Sequence, residues 1–137
     1  MPLTNIIIWR HAEAEYVAAT GLDADRALTQ KGLADVQHMA AWLKKQLPED
    51  VQVYCSPALR CRQTLDALLE LSKKKNYSVA YSEVLAIVSH VEKIFHLLST
   101  ASTSTLLLVG HQPLLGELVG LHTFTPSHEY KAPPGAR

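Results

Sequence analysis

Ile6-Ile7-Ile8-Trp9-Arg10-His11-Ala12-Glu13-Ala14-Glu15 is the stretch on which the reading of this chain turns. Three isoleucines and a tryptophan in unbroken succession describe a strand buried on both faces, because nothing in the run alternates with polar side chains. The run stops abruptly on an arginine and a histidine, followed by a small residue. In open α/β sheets the carboxyl ends of parallel strands are where ligands are held. Taken alone, the stretch reads equally well as a strand that exits into solvent.

Working outward, the rest of the chain alternates. Residues 11 to 28 show no clean period and hold Gly21 and the pair Asp23 and Asp25 around Arg26, which predicts a loop with at most a short turn. Unstructured loops of this length in compact domains tend to be functional. Thr29 is placed to cap a helix over residues 30 to 47, with Leu33, Val36, Met39, Ala40, Leu43 and Leu47 on its apolar face and Pro48 ending it. Val51-Gln52-Val53-Tyr54-Cys55 is a short strand. Ser56-Pro57 reads as a hydroxyl cap and a first-turn proline for a helix to Ser72 that buries Leu59, Cys61, Leu65, Leu68 and Leu69. A third strand is predicted over residues 77 to 81 and a helix over 90 to 99. Thr105-Leu106-Leu107-Leu108-Val109 is a second wholly apolar strand, ending on Gly110-His111-Gln112. Pro113 opens a last helix, to about Gly120. This order predicts a three-layer α/β/α domain with a mostly parallel central sheet over residues 1–121, followed by a weakly patterned tail over 122–137.

Composition narrows the function classes. The 137 residues suit one domain, and 47% apolar with 19% charged residues is ordinary globular usage. Thirteen basic residues balance thirteen acidic ones, so no net field favours nucleic acid or an anionic membrane. Cys55 and Cys61 form neither a C-x-x-C pair nor a disulfide framework. Residues 1–5 lack the basic start of a secretory signal, and no stretch approaches the ~20 apolar residues of a membrane span. A reducing, cytoplasmic setting is expected. The other histidines, including His38, His90, His96, His122 and His128, show no metal-site spacing, and neither a phosphate-binding G-x-x-x-x-G-K loop nor a G-x-S-x-G elbow is present. No metal or cofactor is expected.

Any anion site must therefore arise by local clustering. In a parallel sheet the strand ends bring Arg10 and His11, then Ser56 and Arg60, then His111 and Gln112 to one edge, with Arg26 arriving from the loop. Arginines around two histidines describe a pocket for a tetrahedral oxyanion, since guanidinium forks bind phosphate bidentately. Helix N-termini near Ser56 or Gln112 would favour the same anion. Glu13 and Glu15 are acids nearby, of the kind that commonly stand exposed in loops.

Four blocks then carry a resemblance: Arg10-His11-Ala12-Glu13-Ala14; Arg26-Ala27-Leu28-Thr29 with Gly32; Ser56-Pro57-Ala58-Leu59-Arg60 with Gln63-Thr64; and Val109-Gly110-His111-Gln112-Pro113. In this order they resemble the histidine phosphatase superfamily, with its phosphoglycerate mutase-like fold, and within it the short SixA-type phosphohistidine phosphatases. The resemblance implies a metal-independent phosphatase in which His11 is the nucleophile and Arg10 and Arg60 grip the phosphate. By the same resemblance Arg26 is an additional phosphate-binding arginine and His111 a donor on the opposite side. Ser56, Gln112 and Ala12 would complete the substrate-binding surface. Ala12 replaces the glycine of the wider superfamily, and Ala27 a frequent proline. Where the larger members place a carboxylic acid after the third strand, only Glu83 could serve, with Glu13 the other candidate. A phosphoramidate needs less acid assistance, so the implied partner is a protein phosphohistidine in a signalling or phosphotransfer protein. The alternatives are a small phosphate ester as substrate, or a phosphate-binding module without turnover. The resemblance also implies further strands flanking the first, which residues 122–137 are too few to supply. The sheet is expected to be shortened there, with a tail segment or a second subunit over its edge.

Overall fold

A computed structural model describes residues 5–86 and 91–111. Four strands form one parallel sheet: β1 (Asn5–Arg10), β2 (Asp50–Cys55), β3 (Asn76–Tyr81) and β4 (Thr105–Gly110), in the order β1-β4-β2-β3. Helices α1 (Gln30–Gln46), α2 (Leu59–Leu71) and α3 (Val91–Leu98) connect them, with two short 3₁₀ turns at Asp23–Asp25 and Glu83–Leu85. None of the described helices is long and apolar enough to cross a membrane.

The alternating faces of the strands explain the three layers. Trp9, Val53, Cys55, Leu107 and Val109 point to one side, where they pack with Val36, Leu43, Leu65 and Leu68 of α1 and α2. Ile6, Ile8, Tyr54, Leu106 and Leu108 point to the other, against Leu85, Ile94, Phe95 and Leu98. All six residues of β4 are buried, as an apolar run between two neighbours demands. Burying each of its leucines contributes roughly 1.5–3 kcal/mol. β1 lies at an edge of the described sheet, and its isoleucines are only half-buried.

The helix starts differ in how they follow from sequence. Thr29 caps α1 as expected, its hydroxyl accepting from the Gly32 amide at 2.9 Å. Leu33, expected on the apolar face of that helix, stays 41% exposed, because it falls at the margin of the stripe formed by the buried Val36, Ala40 and Leu43. α2 begins at Leu59 rather than at Pro57, and Ala58 holds the cap position without a side-chain bond. Leu59 and Leu69 are half-buried, while Cys61, Leu65 and Leu68 are wholly buried. The helix predicted after Pro113, the tail over 122–137 and Gln112 lie outside the described residues.

Candidate active site

The sheet register decides what meets at its carboxyl edge. Arg10 pairs with Gly110, and Cys55 with both Val109 and Tyr81. The ladder continues one residue past each strand: the His11 amide donates to Gly110 at 3.1 Å, and the Ser56 amide to Val109 at 2.9 Å. His11, Ser56 and His111 therefore leave the sheet at one level. The two imidazole rings stand edge to face, with centroids 5.3 Å apart.

The loop between β1 and α1 is tied at both ends. Ala14 and Leu28 form an antiparallel bridge, the Glu15 amide donates to Ala27 at 2.8 Å, and the Thr29 amide to the Glu13 carbonyl at 3.0 Å. Gly32 is required beside this closure, since a Cβ there would collide with the Glu13 carbonyl oxygen. Gln63 on α2 accepts from the Leu28 amide at 2.7 Å. These bonds draw the middle of the loop, including Asp23–Asp25, over the start of α2.

His11 donates from Nδ1 to the Ala12 carbonyl at 2.7 Å. A carbonyl can only accept, so in the neutral ring the lone pair resides on Nε2. Burial is the largest influence on this ring and lowers its pKa. The Ala12 bond opposes that, and the charges of Arg60, Arg10 and Arg26 add to the lowering. The three arginines singled out in the sequence thus all act on His11, although burial is a larger influence than any one of them. His111 is 1% exposed, and its Nε2 lies 2.8 Å from Ser56 Oγ. Its pKa falls to about 3, first through burial and then through Arg60 and His11. Both rings are neutral near pH 7.

Arg60 is the buried cation of the site, at 1% exposure. A buried guanidinium is costly unless its donors are matched. Here Nη1 donates to the Asp23 carbonyl at 2.8 Å and Nη2 to Asp23 Oδ2 at 2.9 Å. Arg26 reaches the same carboxylate, Nη1 to Oδ1 at 2.8 Å, while its Nε donates to the Glu15 carbonyl at 2.6 Å. The hydrogen bonds from Arg26 and Arg60 hold the Asp23 carboxyl below the usual range. Thr64, one turn after Arg60, donates to the Arg60 carbonyl at 2.7 Å and accepts from the Ala12 amide at 3.3 Å. It locks the residue after His11 to the helix that carries Arg60.

The other named candidates sit differently. Ser56 does not cap α2 from the cap position: its hydroxyl accepts from the Ala58 amide at 3.3 Å and faces His111. The Glu13 carboxylate accepts from the Thr29 hydroxyl at 2.7 Å, which ties it to the start of α1. Glu83 is exposed in its 3₁₀ turn. Asp23, Thr64 and Cys61 carry no expectation from sequence as site residues. Cys61 Sγ lies 3.5 Å from His111 Nε2, and burial pushes its thiol up to about 12, so it stays neutral. Asp23 had one legible signal: a cation in the first turn of a buried helix needs a counter-ion, and the acid three residues before Arg26 is in reach.

Comparison with known proteins follows the same lines. Residues 6–86 match the model of the histidine phosphatase superfamily, branch 1. The chain is 32% identical over 117 residues to phosphohistidine phosphatase SixA of Escherichia coli K12, covering 84% of this chain and 71% of that protein. The protein histidine phosphatase SixA solved in complex with tungstate superposes with a TM-score of 0.70 at 31% identity, over 83% of this chain and 74% of that one. A protein assigned as SixA from Nakamurella multipartitia gives 0.68 at 34% identity, over 80% of this chain. This chain spans 60% of the length of that structure. On the family model, these identities and the shared parallel sheet, the chain belongs to the histidine phosphatase superfamily, in its SixA-like part.

Proposed function

We propose that this chain is a phosphatase acting through a phosphohistidine on His11, with protein phosphohistidine as its substrate. The observation that carries the reading is the pair of edge-to-face imidazoles, His11 and His111, with the charges of Arg10, Arg26 and Arg60 all bearing on His11. The Nε2 lone pair of His11 attacks the phosphorus, and the bond from phosphorus to the substrate's ring nitrogen breaks, its electrons staying on that nitrogen. Water then attacks the phosphorus, the bond to His11 breaks, and inorganic phosphate leaves as the neutral imidazole returns. Phosphoryl transfer asks mainly for positioning and charge stabilisation, which arginines fixed at Arg10, Arg26 and Arg60 are suited to give. His111, neutral and across from His11, offers an N–H to the transferring group. A similar protein has been solved with tungstate, a tetrahedral oxyanion of the kind this pocket would hold.

The acids support this substrate class. A phosphoramidate nitrogen can leave already protonated, whereas an alkoxide requires a proton donor in place. Glu13 is engaged with Thr29 and Glu83 is exposed, so neither carboxyl is set up for that task. The test is to incubate the protein with a phosphohistidine-bearing phosphocarrier and, separately, with a generic phosphomonoester. Faster release of phosphate from the phosphocarrier is the expected result. Efficient turnover of the monoester alone would shift the assignment to a small-molecule phosphomonoesterase, and phosphate binding without any turnover to a binding module.

A further inference from the structure

Two of the three arginines given a phosphate role, Arg26 and Arg60, are paired with an anion from the chain itself. Asp23 Oδ1 accepts from Arg26 and Oδ2 from Arg60, and among the described residues no other acid is paired with either arginine. The two ends of this arrangement differ in their access to water. Arg60 is 1% exposed, whereas the Asp23 side chain is 56% exposed. The cation therefore depends on a partner, while the carboxylate can be rehydrated at little cost if it leaves. The loop need not move with it, because the Asp23 main-chain carbonyl makes its own bond to Arg60 Nη1. Arg26 is likewise still held by the Glu15 carbonyl.

A phosphoryl group and a carboxylate present oxygens of similar spacing to a guanidinium fork, and both carry negative charge. They cannot share Arg26 and Arg60 at contact distance without repulsion. We propose that the Asp23 carboxylate is an internal counter-anion, displaced from Arg26 and Arg60 by the incoming phosphoryl group, and that it thereby limits how tightly the pocket retains phosphate. The inference rests on the phosphate-binding reading of the pocket, and it makes Asp23 a positioning residue. It keeps the arginines in place while the pocket is empty and competes with the product when it is full. The field of Asp23 also reaches His111, which puts its charge within range of the pocket.

The experiment is calorimetric titration of the full chain with inorganic phosphate, for the wild type, Asp23→Asn and Asp23→Ala. Removal of one competing charge at this range is expected to tighten phosphate binding by roughly five-fold in both variants. The inhibition constant of phosphate as product should fall in parallel. A merely structural role would instead weaken binding in both variants, by letting the arginines stray, and that result would overturn the inference. So would an absence of phosphate binding in all three proteins. A second readout uses the unaltered chain: the carboxylate carbon resonance of Asp23 is expected to shift as phosphate saturates the pocket, and a stationary resonance would count against displacement. The outcome is separable from the fate of the proposed function. Tighter phosphate binding without phosphohistidine turnover would leave this inference standing and the substrate assignment lost, whereas turnover with unchanged or weaker phosphate binding would do the reverse.

Discussion

His11→Ala is expected to lower kcat on a phosphohistidine phosphocarrier by on the order of 10⁴ or more, the scale of removing a nucleophile from a covalent mechanism. The magnitude follows from what the substitution spares. Arg10 lies on β1, Arg26 on the tied loop and Arg60 on α2, and none of them is held by the His11 ring. Phosphate binding should therefore persist, with a dissociation constant within about ten-fold of the parent, while chemistry stops. The deleted ring does make one bond, from Nδ1 to the Ala12 carbonyl, but that carbonyl is only partly buried and can turn to water. Steady-state kinetics and phosphate titration together read the split. Substantial turnover in His11→Ala would remove His11 from the role of nucleophile.

The second large effect belongs to Arg60. Arg60→Ala is expected to reduce kcat/KM by on the order of 10²–10³, as losing one fixed charge-stabilising donor does in other enzymes. Arg60 has two distinct tasks. In the proposed mechanism it supplies a cation where phosphoryl charge develops, and in the fold it fastens the loop through the Asp23 carbonyl and carboxylate. Arg60→Lys separates them in part. The ammonium keeps the charge, yet it is a single point donor and cannot make both bonds to Asp23 in the fixed spacing of a guanidinium fork. It should recover only a small part of the lost activity. Recovery to within a few-fold of the parent would show that charge alone matters, and would contradict the fork geometry as the reason for an arginine at this position.

Much of this architecture was readable before any coordinates, and particular residues show why. The apolar runs Ile6–Trp9 and Leu106–Val109 read as strands, and the register then brings Arg10-His11 and Gly110-His111 to the same edge. Thr29 with Gly32 marks the start of α1 because hydroxyl and amide are local partners. The strand ends bring the two histidines to that edge, but periodicity alone could not give their edge-to-face approach. What escaped the sequence depends on long-range matching. The sequence places Arg60 at the phosphate edge, but only the folded loop reveals that it is buried and answered by Asp23, 37 residues earlier. Ser56 reads as a helix cap, but His111 competes for its hydroxyl, and the helix starts later at Leu59. Leu33 fits the helical period, yet lies at the margin of a stripe whose centre is Val36, Ala40 and Leu43. Edges of patterns, and partners far apart in the chain, are where tertiary structure overrides local reading.

The central claim is that the phosphoryl group passes through a covalent bond to His11. A phosphohistidine-bearing phosphocarrier with isotopically labelled phosphorus can be mixed with enzyme in near-stoichiometric amount and quenched within milliseconds into alkali, where phosphohistidine survives. Digestion and mass spectrometry then locate the label. The account predicts label on the peptide containing His11, at a ring nitrogen, appearing before free phosphate and decaying as phosphate is released. Release of phosphate at the parent rate with no label on His11 at any time, or label on His111 in its place, would contradict it.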